Sequence, residues 1–131
     1  MKQQYSIVKS IIASLLFSVT YAQGEANIWY FGNKAGLDFS TGMPTPVFNG
    51  QLNSVEGATS IADAQGNLLF YTNGMTVWNK FHVAMPNGTG LFGDFSSTQA
   101  AAIVQKPGTP NIYYIFTTNP FEENGGLRYS I

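Results

Sequence analysis

A chain of 131 residues with 44% hydrophobic and 15% aromatic content has room for one ordinary domain and ample material for a core, which excludes wholesale disorder. Only 10% of residues are charged and the formal net charge is −1, so there is no basic footprint for nucleic acid. Cysteine is absent, which rules out disulfides and thiolate metal sites, while 14 glycines mark a turn-rich chain of the kind common among β proteins outside the cell.

The first residues read as a signal peptide over 1–22. Lys2 and Lys9 precede an apolar stretch at 11–19, and Thr20-Tyr21-Ala22 offers small residues where a signal peptidase cuts. Cleavage is expected between Ala22 and Gln23. The uncharged window between Lys9 and Glu25 is 15 residues, short of the roughly 20 that a bilayer span needs, so the mature chain is expected to have no membrane span. The reading implies a protein that is secreted or held at the outer cell surface. Beyond the leader four basic residues face seven acidic ones.

An internal repeat organises the remainder. Asn27-Ile28-Trp29-Tyr30-Phe31-Gly32-Asn33 is echoed by Asn67-Leu68-Leu69-Phe70-Tyr71-Thr72-Asn73. A third, longer version runs from Asn111 through Ile112, Tyr113, Tyr114, Ile115 and Phe116 to Asn119. Each is followed by a glycine and a short alternating stretch, beginning at Gly36, Gly74 and Gly126. The starting asparagines lie 40 and 44 residues apart, the period of a four-stranded propeller blade.

The second copy shows the unit best. Thr59 to Ala62 reads as a strand, Asp63-Ala64-Gln65-Gly66 as a turn, and Asn67 to Thr72 as a strand too apolar to have a wet face. Asn73-Gly74 supplies a tight hairpin and Met75 to Asn79 returns antiparallel. Phe81, Val83 and Met85 alternate with His82 and Ala84 as a fourth strand, which Pro86-Asn87-Gly88-Thr89-Gly90 ends. Matching Ile61 to Ile103 makes Ala100 to Val104 the opening strand of the third copy. The first copy has no room for that opening strand, and the third stops in mid-strand at 127–131, so the coding unit is expected to continue further.

The expected fold is therefore all-β: an incomplete β-propeller, WD-repeat- or Kelch-like, occupying 23–131 with about two and a half antiparallel blades of roughly 42 residues. Blade 1 spans about 27–48, blade 2 about 59–85 and blade 3 about 100–131. The missing strands of its own propeller are its first expected partner. A free-standing β-sandwich that binds sugars is the competing architecture.

The same residues resemble a known group. Trp29-Tyr30-Phe31-Gly32-Asn33-Lys34-Ala35-Gly36-Leu37-Asp38-Phe39, Glu56-Gly57-Ala58-Thr59-Ser60-Ile61-Ala62-Asp63 and Gly66-Asn67-Leu68-Leu69-Phe70-Tyr71-Thr72-Asn73-Gly74 are similar to the N-terminal region of large surface proteins from gliding bacteria. Phe92-Gly93 and Ser96-Ser97-Thr98-Gln99 continue the likeness. The resemblance implies a propeller-like N-terminal region, downstream immunoglobulin-like or PKD-type modules, and type IX secretion. It assigns no catalytic residue.

No catalytic, metal or cofactor set is legible. His82 is the only histidine, and no serine elbow accompanies it. Asp38, Glu56, Asp63 and Asp94 are candidate glycosidase carboxylates by residue type alone, and the single arginine, Arg128, falls short of a sialidase cluster. Asp63-Ala64-Gln65-Gly66-Asn67 resembles part of a calcium loop but lacks its alternate acids. Asn87-Gly88-Thr89 matches a glycosylation sequon, idle in a bacterial source. Trp29, Tyr30, Phe31, Trp78, Tyr113 and Tyr114 could stack on sugars, but neighbours on a strand point to opposite faces, so Trp29-Tyr30-Phe31 reads first as a strand buried on both sides. The linkers at 49–57 and 87–99 are the expected binding loops. The functional expectation is a noncatalytic adhesion or partner-binding module whose partner is a surface glycan or protein. The alternative is a carbohydrate-binding or carbohydrate-active secreted protein whose functional residues lie largely beyond residue 131.

Overall fold

The computed structural model describes residues 24–119 and 126–131; the expected leader with its Ala22/Gln23 cleavage point lies outside them. The chain is all-β, with a 3-10 turn at Gly24–Ala26 and three antiparallel sheets. The first sheet holds β1 (Ile28–Phe31), β2 (Ala35–Asp38) and β3 (Thr45–Val47) in that order. The second holds β4 (Thr59–Ala62), β5 (Leu68–Thr72), β6 (Thr76–Asn79) and β7 (Ala84–Thr89), again in chain order. The third is β8 (Ala101–Gln105), β9 (Tyr113–Thr118) and β10 (Leu127–Ser130). Within each sheet, strands that follow one another in the chain pair with one another.

The three aromatic segments of the repeat become β1, β5 and β9, and the opening strand precedes the second and third but, among the described residues, not the first. The edge of β1 that faces away from β2 is served instead by a side chain. Ser60 Oγ of β4 donates to the Ile28 carbonyl at 2.7 Å and accepts the Tyr30 amide at 3.3 Å. That edge therefore meets the second sheet with its exposed backbone groups answered.

The middle sheet is covered on both faces. Tyr71 and Trp78 pair across β5 and β6 and point toward the first sheet, where Tyr30, Leu52 and Leu68 complete a core with Ile28 and Val47. Phe70 and Val77 point the other way, onto Ala101, Ile115, Ile103 and Tyr113 of the third sheet. Alternation along β5 feeds both cores, and a bulge in the β4/β5 pairing shifts its parity at one end. Ile61 opposes Phe70 but Ala62 opposes Leu68, so Leu68 turns to the first core while Leu69 joins Phe70 in the second. Two separate cores on opposite faces of one sheet are not the single shared core of a sandwich.

Four details differ from the sequence reading. Trp29-Tyr30-Phe31 is not buried on both sides: Tyr30 is buried, whereas Trp29 is 49% and Phe31 40% exposed, because alternation turns them to the uncovered outer face of the first sheet. The fourth strand of the second sheet is Ala84–Thr89, so the segment read as its terminator is the strand itself, and Phe81 and His82 lie in the turn before it. Asn79 makes that turn, since its Oδ1 accepts the amides of Phe81 and Val83. Pro86 is tolerated because β7 is an edge strand. In the Asn73-Gly74 hairpin only Gly74 has positive φ, at 86°; Asn73 contributes through its side chain, which accepts the Met75 and Thr76 amides. Finally, Ile61 and Ile103 are not equivalent, because each points into the same core from opposite sheets, which places the repeat one residue out of step with that match.

Candidate functional site

The two linkers expected to bind are pinned to hairpin corners and then to each other. At the β1/β2 corner, Lys34 N–H donates to Leu52 O at 2.8 Å and Ser54 N–H to Gly32 O at 2.9 Å. At the β5/β6 corner, Leu91 N–H donates to Met75 O at 3.1 Å and Gly93 N–H to Gly74 O at 2.9 Å. Asn73 Nδ2 also reaches Asn53 O, tying the first linker to the second corner. These contacts need glycine: a Cβ on Gly93 would lie 2.4 Å from Gly74 O, and one on Gly74 would lie 2.7 Å from Ala100 O.

Cross-bonds then join linker to linker. The Val55 and Glu56 amides share Phe95 O, Gly57 N–H donates to Ser97 O, and Ser54 Oγ bonds to the carbonyls of Gly57 and Phe95. Thr98 Oγ1 donates to Glu56 Oε2 at 2.6 Å. The resulting layer exposes Val55, Phe92 and Phe95, with 71% of Val55 and 60% of Phe92 accessible. The Arg128 guanidinium lies 3.8 Å from the Phe92 ring centroid, a cation–π contact between the layer and the third sheet. The sequence brought these loops forward as candidates, but residues 87–89 belong to β7, so the second linker begins at Gly90.

The carboxylates are occupied by turn chemistry. Asp94 Oδ1 accepts Ser96 N–H and Oγ–H, and Glu56 holds Thr98. Asp63 accepts Gln65 N–H, Asn67 N–H and the Asn67 amide with its two oxygens, and the Asn67 bonds above all hold its carboxyl below the usual range. Asp38 is likewise held down by bonds from Ser40, through its side chain and its backbone. Among the described residues no three His, Asp or Glu side chains are grouped to hold a metal.

Asp38 and Asp63 do share an open cleft of about 570 Å³ between the first and second sheets, together with Asn67, Lys80 and Phe81. Phe81 is 72% exposed there. Lys80 Nζ lies over the Phe81 ring, 5.3 Å from its centroid.

Among the described residues, His82 is bonded to neither a serine nor a carboxylate. Its turn conformation, φ 62°, carries the ring over the first core, edge-on to Tyr30. Tyr30 OH donates to Asn49 Oδ1 at 2.8 Å, which leaves Asn49 Nδ2 to donate to His82 Nε2 at 2.9 Å. The ring proton is thereby assigned to Nδ1, 3.2 Å from the Tyr71 hydroxyl, which also accepts Gln51 N–H. Burial lowers the His82 pKa and raises those of Tyr30 and Tyr71. The group is a neutral clasp between sheets, and alternation alone does not reveal it, because alternation puts His82 on a strand whereas the residue lies in the turn before β7. The signal was present in Asn79, whose side chain starts the turn.

The aromatic candidates divide by face. Tyr30, Trp78 and Tyr113 pack in the cores, with Trp78 stacked on Tyr71 and Tyr113 edge-on to Phe70. Trp29 and Tyr114 belong to the outer faces of the first and third sheets. Among the described residues no helix is long and apolar enough to cross a membrane. No protein-family model matches the chain, and it has no significant match to a curated protein or to a solved structure.

Proposed function

We propose that the chain is a noncatalytic, secreted or surface-displayed β-propeller module whose three sheets are successive blades, and that it binds a macromolecular partner through its linker layer. The observation that carries the reading is the cross-bonded pair of linkers: Val55, Phe92 and Phe95 are exposed on a backbone already fixed by hydrogen bonds, so binding orders little. The leader, the repeat and the likeness to surface proteins of gliding bacteria support the address and the adhesive role. Beads carrying the full chain test it against bacterial outer-membrane vesicles and polysaccharide-coated surfaces. Adhesion is expected, and a Val55→Ser, Phe95→Ser double variant should lose it with unchanged thermal stability. Adhesion indifferent to that variant, or hydrolysis of a polysaccharide, overturns the reading.

The cleft of Asp38, Asp63, Asn67 and Phe81 favours a second reading, a carbohydrate-binding module. A glycan-array signal that Phe81→Ala abolishes and the linker variant leaves intact would select it.

A further inference from the structure

Among the described residues, nothing packs over one face of the first sheet or one face of the third, and the two faces are unlike. Outside the first sheet, Trp29 and Phe31 alternate outward beside Leu37 and Pro46, by the β1/β2/β3 register. Outside the third sheet, Val104, Tyr114, Phe116, Leu127 and Tyr129 share a face, with Tyr129 5.9 Å from the Tyr114 ring and 6.3 Å from Phe116. Val104, Leu127 and Tyr129 are 47%, 70% and 63% exposed.

Each face is of the same kind as one side of a contact that the chain forms twice. In each in-chain contact, the face turned toward the later sheet presents an aromatic of the repeat strand, Tyr30 in the first sheet and Phe70 in the second. It meets the backward face of the next sheet, where Tyr71 and then Ile115 are buried. The outer face of the third sheet is a forward face of this kind, with Phe116 and Tyr114. The outer face of the first is a backward face, and Phe31 stands at the repeat position that Tyr71 fills in the second.

We propose that a second copy of the chain docks the outer face of its first sheet onto the outer face of the third, continuing the in-chain stack head to tail. Because the faces differ, the contact is heterologous and adds copies until a ring closes or growth stops. A covered aromatic buries about 150–250 Å², so these half-exposed side chains supply on the order of 400 Å² per face. That is about half of a standard stable interface, so association should be reversible and concentration-dependent. The inference rests on sheet stacking and is independent of the linker layer.

Sedimentation velocity of the full chain over a wide concentration range tests it, alongside Phe31→Glu on the first face and Tyr129→Glu on the third. The wild type should form species larger than a dimer, either variant alone should stay monomeric, and their mixture should stop at a 1:1 dimer through the one intact pair of faces. Retained wild-type circular dichroism verifies folding, and Trp29→Ser with Leu127→Glu repeats the test at neighbouring positions. A monomeric wild type, a mixture that fails to pair, or assembly unchanged by one of the variants would overturn it.

Discussion

Tyr30 of the first sheet stacks on Tyr71 of the second with ring centroids 4.5 Å apart, and Tyr71 is fully buried between that ring and Trp78. Phe70, the next residue back, points to the opposite core, so adjacent side chains of one strand hold different neighbours. The sheets are thus joined in series through β5.

Removing Tyr71 should be costly for that reason. Tyr71→Ala is expected to destabilise the chain by about 3–5 kcal/mol, the range for deleting a buried aromatic. Tyr71→Phe removes only the hydroxyl that accepts Gln51 N–H and faces His82, and should cost about 1–2 kcal/mol. Urea unfolding followed by tryptophan fluorescence separates the two.

Ser60 should matter more than an ordinary half-buried serine. Ser60→Ala strips the Ile28 carbonyl and the Tyr30 amide of their partner, at about 1–3 kcal/mol. Amide exchange at Tyr30 should accelerate while exchange in the third sheet changes little.

Two glycines with the same backbone conformation should respond differently to alanine. Gly74 and Gly42 have φ of 86° and 81°, so both substitutions incur the left-handed penalty of about 1–2 kcal/mol. At Gly42 the added methyl meets open space; at Gly74 it meets Ala100 O at 2.7 Å. Gly74→Ala should therefore lower the melting temperature clearly further than Gly42→Ala, and equal losses would contradict the close approach of Gly74 to Ala100.

The His82 clasp predicts a pH dependence with a definite sign. Burial depresses its folded pKa below the ordinary value of about 6.5, so the folded state resists a proton that the unfolded state accepts. Its stabilising contribution is fully present above about 6.5 and is lost as pH falls through the folded pKa. The titratable groups facing the ring, Tyr30 and Tyr71, stay neutral throughout because their pKa values are raised. Asp38 and Asp63, both lowered, lose their contributions only at more acidic pH, in a separate window. Melting temperatures should begin to fall below pH 6.5, and His82→Gln should flatten that first decline.

Much of the fold was legible because it rests on short-range chemistry. The Asp63 to Gly66 turn, the Gly74 and Gly126 turns and the opening strands at Thr59 and near Ala100 follow from alternation and turn residues, which act within a few positions, whereas Gly36 lies inside β2. What escaped depends on which sheet lies next to which. No local pattern tells that Phe31 is uncovered while Tyr71, its repeat equivalent, is sealed. Spacing does not reveal that Ile61, paired with Phe70, faces the third sheet whereas Ile103, paired with Ile115, faces the second, hence the slip between them. The linkers were identified as a candidate surface, but their mutual bonds are tertiary, and so is the ring of Asn49, His82, Tyr30 and Tyr71.

Nuclear Overhauser contacts between side chains of the full chain, at a dilution that keeps it monomeric, test the serial stacking of sheets most directly. Tyr30 ring protons should contact Tyr71, and the Ile115 methyls should contact Phe70 and Val77, with none between Tyr30 and Ile115. A strong Tyr30 to Ile115 contact, marking one common core for all three aromatic strands, would contradict the account.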